Sequence, residues 1–149
     1  IEIKDFINEN NNLNKSPGIK DDDIRWFRII IILGNINELK NYFEEPQVLK
    51  MRDKIIEDSL NYFKTSSSIT MEHFIDYSNF FNQLVSVHET SSKSMAYALF
   101  EKYEINSCQV DLFRRKNEPN PVFVHELKNL LSHFLWNWSD YLKKFKISI

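Results

Sequence analysis

Four histidines, His73, His88, His125 and His133, and one cysteine, Cys108, are the side chains of this chain best suited to hold a metal, move a proton or attack a carbonyl. Their spacing decides whether they can do so. His125 and His133 stand eight residues apart in one helical stretch, about two turns, whereas a helical metal pair needs i, i+4. His73 follows Glu72 but has no second histidine at helical spacing. A catalytic thiol needs a base beside it, and Cys108 has only His125 some way along the chain, so a spectator thiol is expected. The turn at 64–68 lacks the alternating acids and central glycine of a calcium loop. Neither a glycine-rich phosphate loop nor a Ser/His/Asp spacing is found. The expectation is a non-enzymatic chain with no metal and no other cofactor.

The elements that would position any site are helical. Only 2 Gly and 4 Pro in 149 residues leave little material for hairpin turns, and strand-like alternation never lasts more than a few residues. The Asn-rich stretch from Asn8 to Lys20, broken by Pro17-Gly18, reads as a mobile linker, so residues 1–20 are expected to form a flexible N-terminal segment. Asp21, Asp22 and Asp23 supply a helix start. Ile24, Phe27, Ile30 and Ile31 follow as an apolar stripe, and Gly34-Asn35 reads as its C-terminal stop. Further helices are expected at about 36–43, 48–63, around Phe74 to Phe81, and closing in Leu99 to Tyr103. A loop over 104–120 then leads to a long final helix from about Val122 to Phe145. The fold class is therefore all-α, with one helical domain over 21–149.

With 42% hydrophobic and 14% aromatic residues the chain can bury a single core. A net charge of -2 with both signs interspersed gives no reason to expect nucleic-acid binding, and no apolar run reaches the roughly 18–20 residues that span a bilayer. One cysteine and no secretory pattern fit a reducing, cytoplasmic setting. The chain begins at Ile1, so an excerpt of a longer protein is expected, with any membrane association supplied by the remainder.

Between Tyr62 and Tyr103 the order of features resembles the central helices of the RGS homology domain, the all-helical module of regulators of G-protein signalling. Tyr62-Phe63 match its aromatic helix end, residues 64–69 its short loop, and Phe74-Ile75 its Phe-Trp pair. Ala96 to Tyr103 resembles its Ala-x-x-Ile-x-x-x-Tyr helix, Val110-Asp111-Leu112 its Val-Asn-Leu turn, and Glu118-Pro119 a Glu-Pro before its last helices. The likeness covers about 39–148. It implies an antiparallel two-lobed bundle of RGS type with an N-terminal helical extension.

The resemblance also implies a partner, a heterotrimeric Gα subunit, met by Ser67, Thr70, Met71, Asp111, Leu112, Trp136, Asn137 and Asp140. RGS domains speed GTP hydrolysis by clamping the switch loops of Gα, one asparagine orienting the catalytic glutamine and water. Here that asparagine falls on Met71, whose thioether has no amide donors, and its acidic neighbour falls on Thr70. The asparagine of the second turn becomes Asp111, which only accepts. A polar group left without its partner at a buried interface costs roughly 1–3 kcal/mol, so GTPase acceleration is expected to be weak or lost. The domain would then serve as an atypical G-protein binder or an RGS-fold scaffold. An unrelated all-helical adaptor is the rival reading. Trp26, Trp136 and Trp138 are candidate interface anchors, the blander role being to cover the N-terminal extension, and Trp136 and Trp138, two apart on a helix, cannot both face the same core side.

Overall fold

The computed structural model describes residues 2–63 and 70–137. All secondary structure among them is helical: α1 (Glu2–Asn8), α2 (Arg25–Glu38), α3 (Glu45–Phe63), α4 (Met71–His88), α5 (Ser91–Lys102), α6 (Asp111–Arg114) and α7 (Pro121–Ser132). Short 3-10 turns at Asp21–Asp23, Leu39–Asn41 and Ile105–Cys108 join them. No described helix is long and apolar enough to cross a membrane.

The centre is α5, whose Met95, Ala96, Ala98, Leu99 and Phe100 are all buried. A helix buried on most of its circumference needs neighbours on several sides, and α2, α4 and α7 supply them. The first of these contributes Phe27, Ile29, Ile30 and Leu33, and α7 contributes Phe123, Leu127 and Leu131 at i, i+4 and i+8. Two threonines start the helices that flank the bend between α4 and α5. Thr70 caps α4 in a reciprocal box, its hydroxyl accepting from the His73 N–H at 3.4 Å while the Thr70 N–H donates to His73 Nδ1 at 3.0 Å. Thr90 accepts from the Lys93 N–H at 3.3 Å at the start of α5. Between the two helices Glu89 takes a left-handed φ of 71°, which reverses the chain within two residues.

Four expectations need correction. First, Gly34-Asn35 does not end α2, which continues to Glu38 and so absorbs the start of the helix expected at 36–43. Gly34 serves close packing instead, since a Cβ there would lie 2.4 Å from Met95 Sδ and 2.8 Å from Met95 Cγ. Second, Pro46 stands in the first turn of α3 and does not precede the helix, a position where its missing N–H costs nothing. Third, the 8–20 stretch is folded. Ile3, Ile7, Leu13 and Ile19 are buried, and Phe6 stacks on Phe123 of α7 at 6.2 Å. Asn8 clamps Ile19 with two hydrogen bonds, donating to its carbonyl at 2.8 Å and accepting from its N–H at 2.9 Å. The Asn14 and Lys15 N–H groups both donate to the Cys108 carbonyl. Fourth, the last helix stops at Ser132, not near Phe145; the part of that expectation beyond 137 lies outside the described residues.

The segment that follows α7 is received by a buried amide. Asn35 Nδ2 donates to the Ile31 carbonyl at 2.9 Å and the Phe134 carbonyl at 3.1 Å, and Oδ1 accepts from the Trp136 N–H at 2.7 Å. One side chain thus satisfies two backbone groups of the segment after α7. Gln109 does the same for the 104–120 connection, which carries a 3-10 turn and α6 where the sequence suggests a plain loop. Its amide spans Asn106, Glu118 and the Asn120 N–H at 2.7–3.0 Å.

Replacing Asn35 by Leu should cost roughly 1–3 kcal/mol in chemical denaturation, because it leaves the part-buried Phe134 carbonyl and Trp136 N–H without their partner; a loss under about 0.5 kcal/mol would contradict the clamp. Gly34→Ala should destabilise the protein by about 1 kcal/mol, overpacking outweighing the gain in helix propensity. In a Met95→Ala background the same change should turn stabilising, since the new methyl then fills space that Met95 vacates.

Candidate functional site

A groove of about 460 Å³ runs between α2, α3 and α4. Leu33, Ile36, Ile56, Phe74 and Phe81 give it a buried or half-buried apolar lining, with Asn37, Ser78, Asn79 and Asn82 beside them and Lys40, Arg52 and Asp53 as its charged residues. Met71, 47% exposed, and Ile75, 55% exposed, stand one helical turn apart on α4 and both line it. A second, smaller depression continues along α3 past Glu57, Leu60 and Asn61, sharing Asp53, Ile56 and Met71 with the first. The local sequence explains why these two apolar side chains are left outside. On α4, Phe74, Tyr77 and Phe81 take the core face, so Met71 and Ile75 fall on the turn beside it, against α3.

The other residues expected at a partner interface are spread over the fold. Thr70 is exposed, but its hydroxyl is committed to the cap of α4. Asp111 and Leu112 lie exposed on α6, which packs on the Ile105–Cys108 turn, and the Asp111 carboxylate pairs with Arg114 and, at 3.9 Å, with Arg115. Trp136, 46% exposed, and Asn137 follow α7, with the Trp136 N–H held by Asn35. Ser67 and Asp140 lie outside the described residues. The first turn of α4 is placed by His73 against Trp26, at 5.9 Å, whereas Trp136 is tied to Asn35 nine residues further along α2. At 1.5 Å per residue those anchor points are separated by roughly 13 Å along the helix axis.

Sequence reasoning misses an aromatic cluster at the start of α2. Trp26 stacks on Tyr77 at 4.1 Å, and the Lys102 ammonium lies 4.2 Å from the Tyr77 ring centre, 5.0 Å from Phe80 and 5.4 Å from Trp26. These contacts join α2, α4 and α5 by cation–π attraction at one end of the bundle. The Tyr77 hydroxyl is buried with no hydrogen-bond partner among the described residues, and burial pushes its phenol far above the usual range. Trp26 therefore packs internally, and a signal for that placement, an aromatic four residues before Ile30 on the buried stripe, is present in the sequence.

A further depression, of about 1340 Å³, lies between the end of α4, α5, the 104–120 connection and the start of α7. Within it His88 stacks on Tyr97 at 3.8 Å. Among the described residues no group of three His, Cys, Asp or Glu side chains is placed to hold a metal. Cys108 is buried, and its carbonyl receives the N–H groups of Asn14 and Lys15.

No protein-family description, no curated protein and no solved structure matches this chain.

His88 gives the site a measurable pH signature. Burial, and then the Lys93 ammonium, hold its imidazole below its ordinary pKa of 6.5. The unfolded chain therefore binds a proton that the folded chain resists. The stability from neutral His88 is complete above pH 6.5 and is lost as pH falls through 6.5 toward the folded value. The melting temperature should drop between about pH 7.5 and 5.5, and His88→Phe, which keeps a ring on Tyr97, should make that drop smaller. An unchanged pH profile in the variant would show that His88 is not the group responsible.

Proposed function

We propose that this domain binds a protein partner, performs no chemistry of its own, and uses the groove between α2, α3 and α4 as its binding face. One observation carries the reading: Met71 and Ile75 are both about half exposed beside an apolar lining. Paired apolar side chains left in water beside a concave apolar surface fit docking of a partner's apolar side chains. The folded N-terminal segment leaves this groove open, because α1 packs against α7.

The RGS resemblance makes an activated Gα subunit the partner of first choice, with the helices set out as an RGS-type bundle. In that reading Met71 occupies the position of the asparagine that orients the catalytic glutamine. A thioether neither donates nor accepts strongly enough to replace an amide, and the Thr70 hydroxyl is already engaged within its own helix. The domain would then hold Gα, or act as an RGS-fold scaffold, without speeding GTP hydrolysis. The roughly 13 Å between the anchor points of α4 and Trp136 along α2 favours a second reading, an all-helical adaptor unrelated to that family, whose groove takes a partner other than Gα.

The test is single-turnover GTP hydrolysis by a panel of Gα subunits with and without this domain, beside binding to their aluminium-fluoride-activated forms. The expected result is binding without acceleration, weakened at least tenfold by Met71→Asp combined with Ile75→Asp. Acceleration would overturn the loss of activity. Binding that ignores both substitutions would move the interface elsewhere, and no binding to any Gα would favour the adaptor.

A further inference from the structure

The depression beside α5 shares no lining residue with the Met71 groove, and its chemistry is different. Leu84, Tyr97, Phe100 and Val124 give it an apolar lining, and Val87, 70% exposed, adds an uncovered apolar side chain. Three exposed carboxylates, Glu101, Glu104 and Glu118, line the same space and make no ion pair among the described residues. Of the two cations there, Arg114 is already paired with Asp111, which leaves Lys93 against three acids. Burial, and then the Glu118 carboxylate, raise the pKa of the Tyr97 phenol, so that this acid lies near the apolar lining.

The backbone fixes this arrangement. Glu104 and Asn117, both lining residues, hold left-handed φ values of 51° and 54°, and Glu89 with its φ of 71° follows the lining residue His88. Gln109 locks the 106–120 connection from beneath through its three hydrogen bonds. Glu104 and Glu118 are thus presented from a braced connection and Glu101 from α5, beside a space larger than the roughly 300–1,000 Å³ of ordinary small-molecule pockets.

We infer that this trough binds a basic peptide segment of a partner protein, Lys or Arg side chains meeting Glu101, Glu104 and Glu118 while one apolar side chain enters between Tyr97, Phe100 and Val124. An acidic rim repels phosphate, which disfavours a nucleic acid or an anionic membrane as the occupant. A bare metal ion is disfavoured as well, because these carboxylates are not gathered closely enough to chelate one. Three carboxylates that outnumber the cations beside them, around an apolar lining, are complementary to a chain carrying both features. The inference stands independently of the partner assigned to the Met71 groove.

Fluorescence anisotropy with two labelled peptides tests it: Lys-Leu-Lys-Phe-Lys-Lys and its counterpart Glu-Leu-Glu-Phe-Glu-Glu. The basic peptide should bind and the acidic one should not, and raising the salt from about 50 to 500 mM should weaken binding at least tenfold. The combined Glu101→Gln, Glu104→Gln and Glu118→Gln variant should lose at least tenfold in affinity with an unchanged melting temperature. A control bearing Asp53→Asn and Glu57→Gln, on the other groove, should bind like the parent. Equal loss in the control would reduce the effect to general charge attraction and overturn the inference. So would binding of both peptides alike, no binding of the basic peptide at about 1 mM, or full binding by the triple variant. If the triple variant melts early, Val87→Lys with Glu101→Lys, both at exposed positions, replaces it, and unchanged binding there would equally overturn the inference.

Discussion

Where α2 crosses α5, the Met95 side chain occupies the space that a Cβ at position 34 would need, so the two helices stand closer there than two facing layers of side chains would allow. The rest of the bundle follows from that approach. With α2 drawn in on one side, α5 can bury Met95, Ala96, Ala98, Leu99 and Phe100 together, and α4 and α7 close over its remaining faces. Interiors pack like organic crystals, so a gap of one methylene between α2 and α5 would propagate to every contact that α5 makes. A glycine inside a helix costs about 1 kcal/mol in propensity. Retaining it at position 34 is offset only by the packing that its missing side chain permits.

The irregular segments are held by a different device. Asn8, Asn35 and Gln109 each present one donor group and one acceptor in the same plane, which is the hydrogen-bonding equipment of a peptide unit. Asn8 closes the 8–19 loop on Ile19, Asn35 receives the segment after α7, and Gln109 braces the connection from Asn106 to Asn120. Asn35 and Gln109 are almost wholly buried, so solvent cannot stand in for them. A hydrophobic side chain at these sites would fill the volume and leave backbone groups stranded. The bundle therefore owes its helices to apolar periodicity and its connections to buried amides.

That division also explains what is legible in the sequence. Helical periodicity is repeated along the chain, so the all-α class and the cores of α3, α4 and α7 can be read from it. The amides cannot, because an asparagine in a polar run looks alike whether it caps, clamps or faces water. Gly34-Asn35 has the composition of a helix stop, and only the position of Met95, some 60 residues away, turns it into a packing contact followed by a clamp. The 8–20 stretch reads as a linker for the same reason. Leu13 and Ile19 are lone apolar residues in a polar segment, and nothing local says that the Cys108 carbonyl will receive its N–H groups. Of the expected interface residues, Met71 reads from the sequence as loop before a helix near Phe74, and neither its place in the first turn of α4 nor the groove that α3 forms beside it is legible there.

The two concave surfaces differ in what they can contribute to recognition. Around the Met71 groove Arg52 pairs with its neighbour Asp53, so the rim offers little net charge and its attraction is that of apolar burial, short in range and hardly screened by salt. Beside α5 the carboxylates act over about a Debye length and would raise the encounter rate of a basic partner before any contact forms. Burial at the first surface would set how long a complex lasts, while charge at the second would set how fast and with which sign of partner it forms. A docking domain of the kind proposed would draw on both, since an apolar groove alone discriminates poorly between partners. Charge mismatch at a separate rim would exclude the wrong ones without altering a groove that holds the right one.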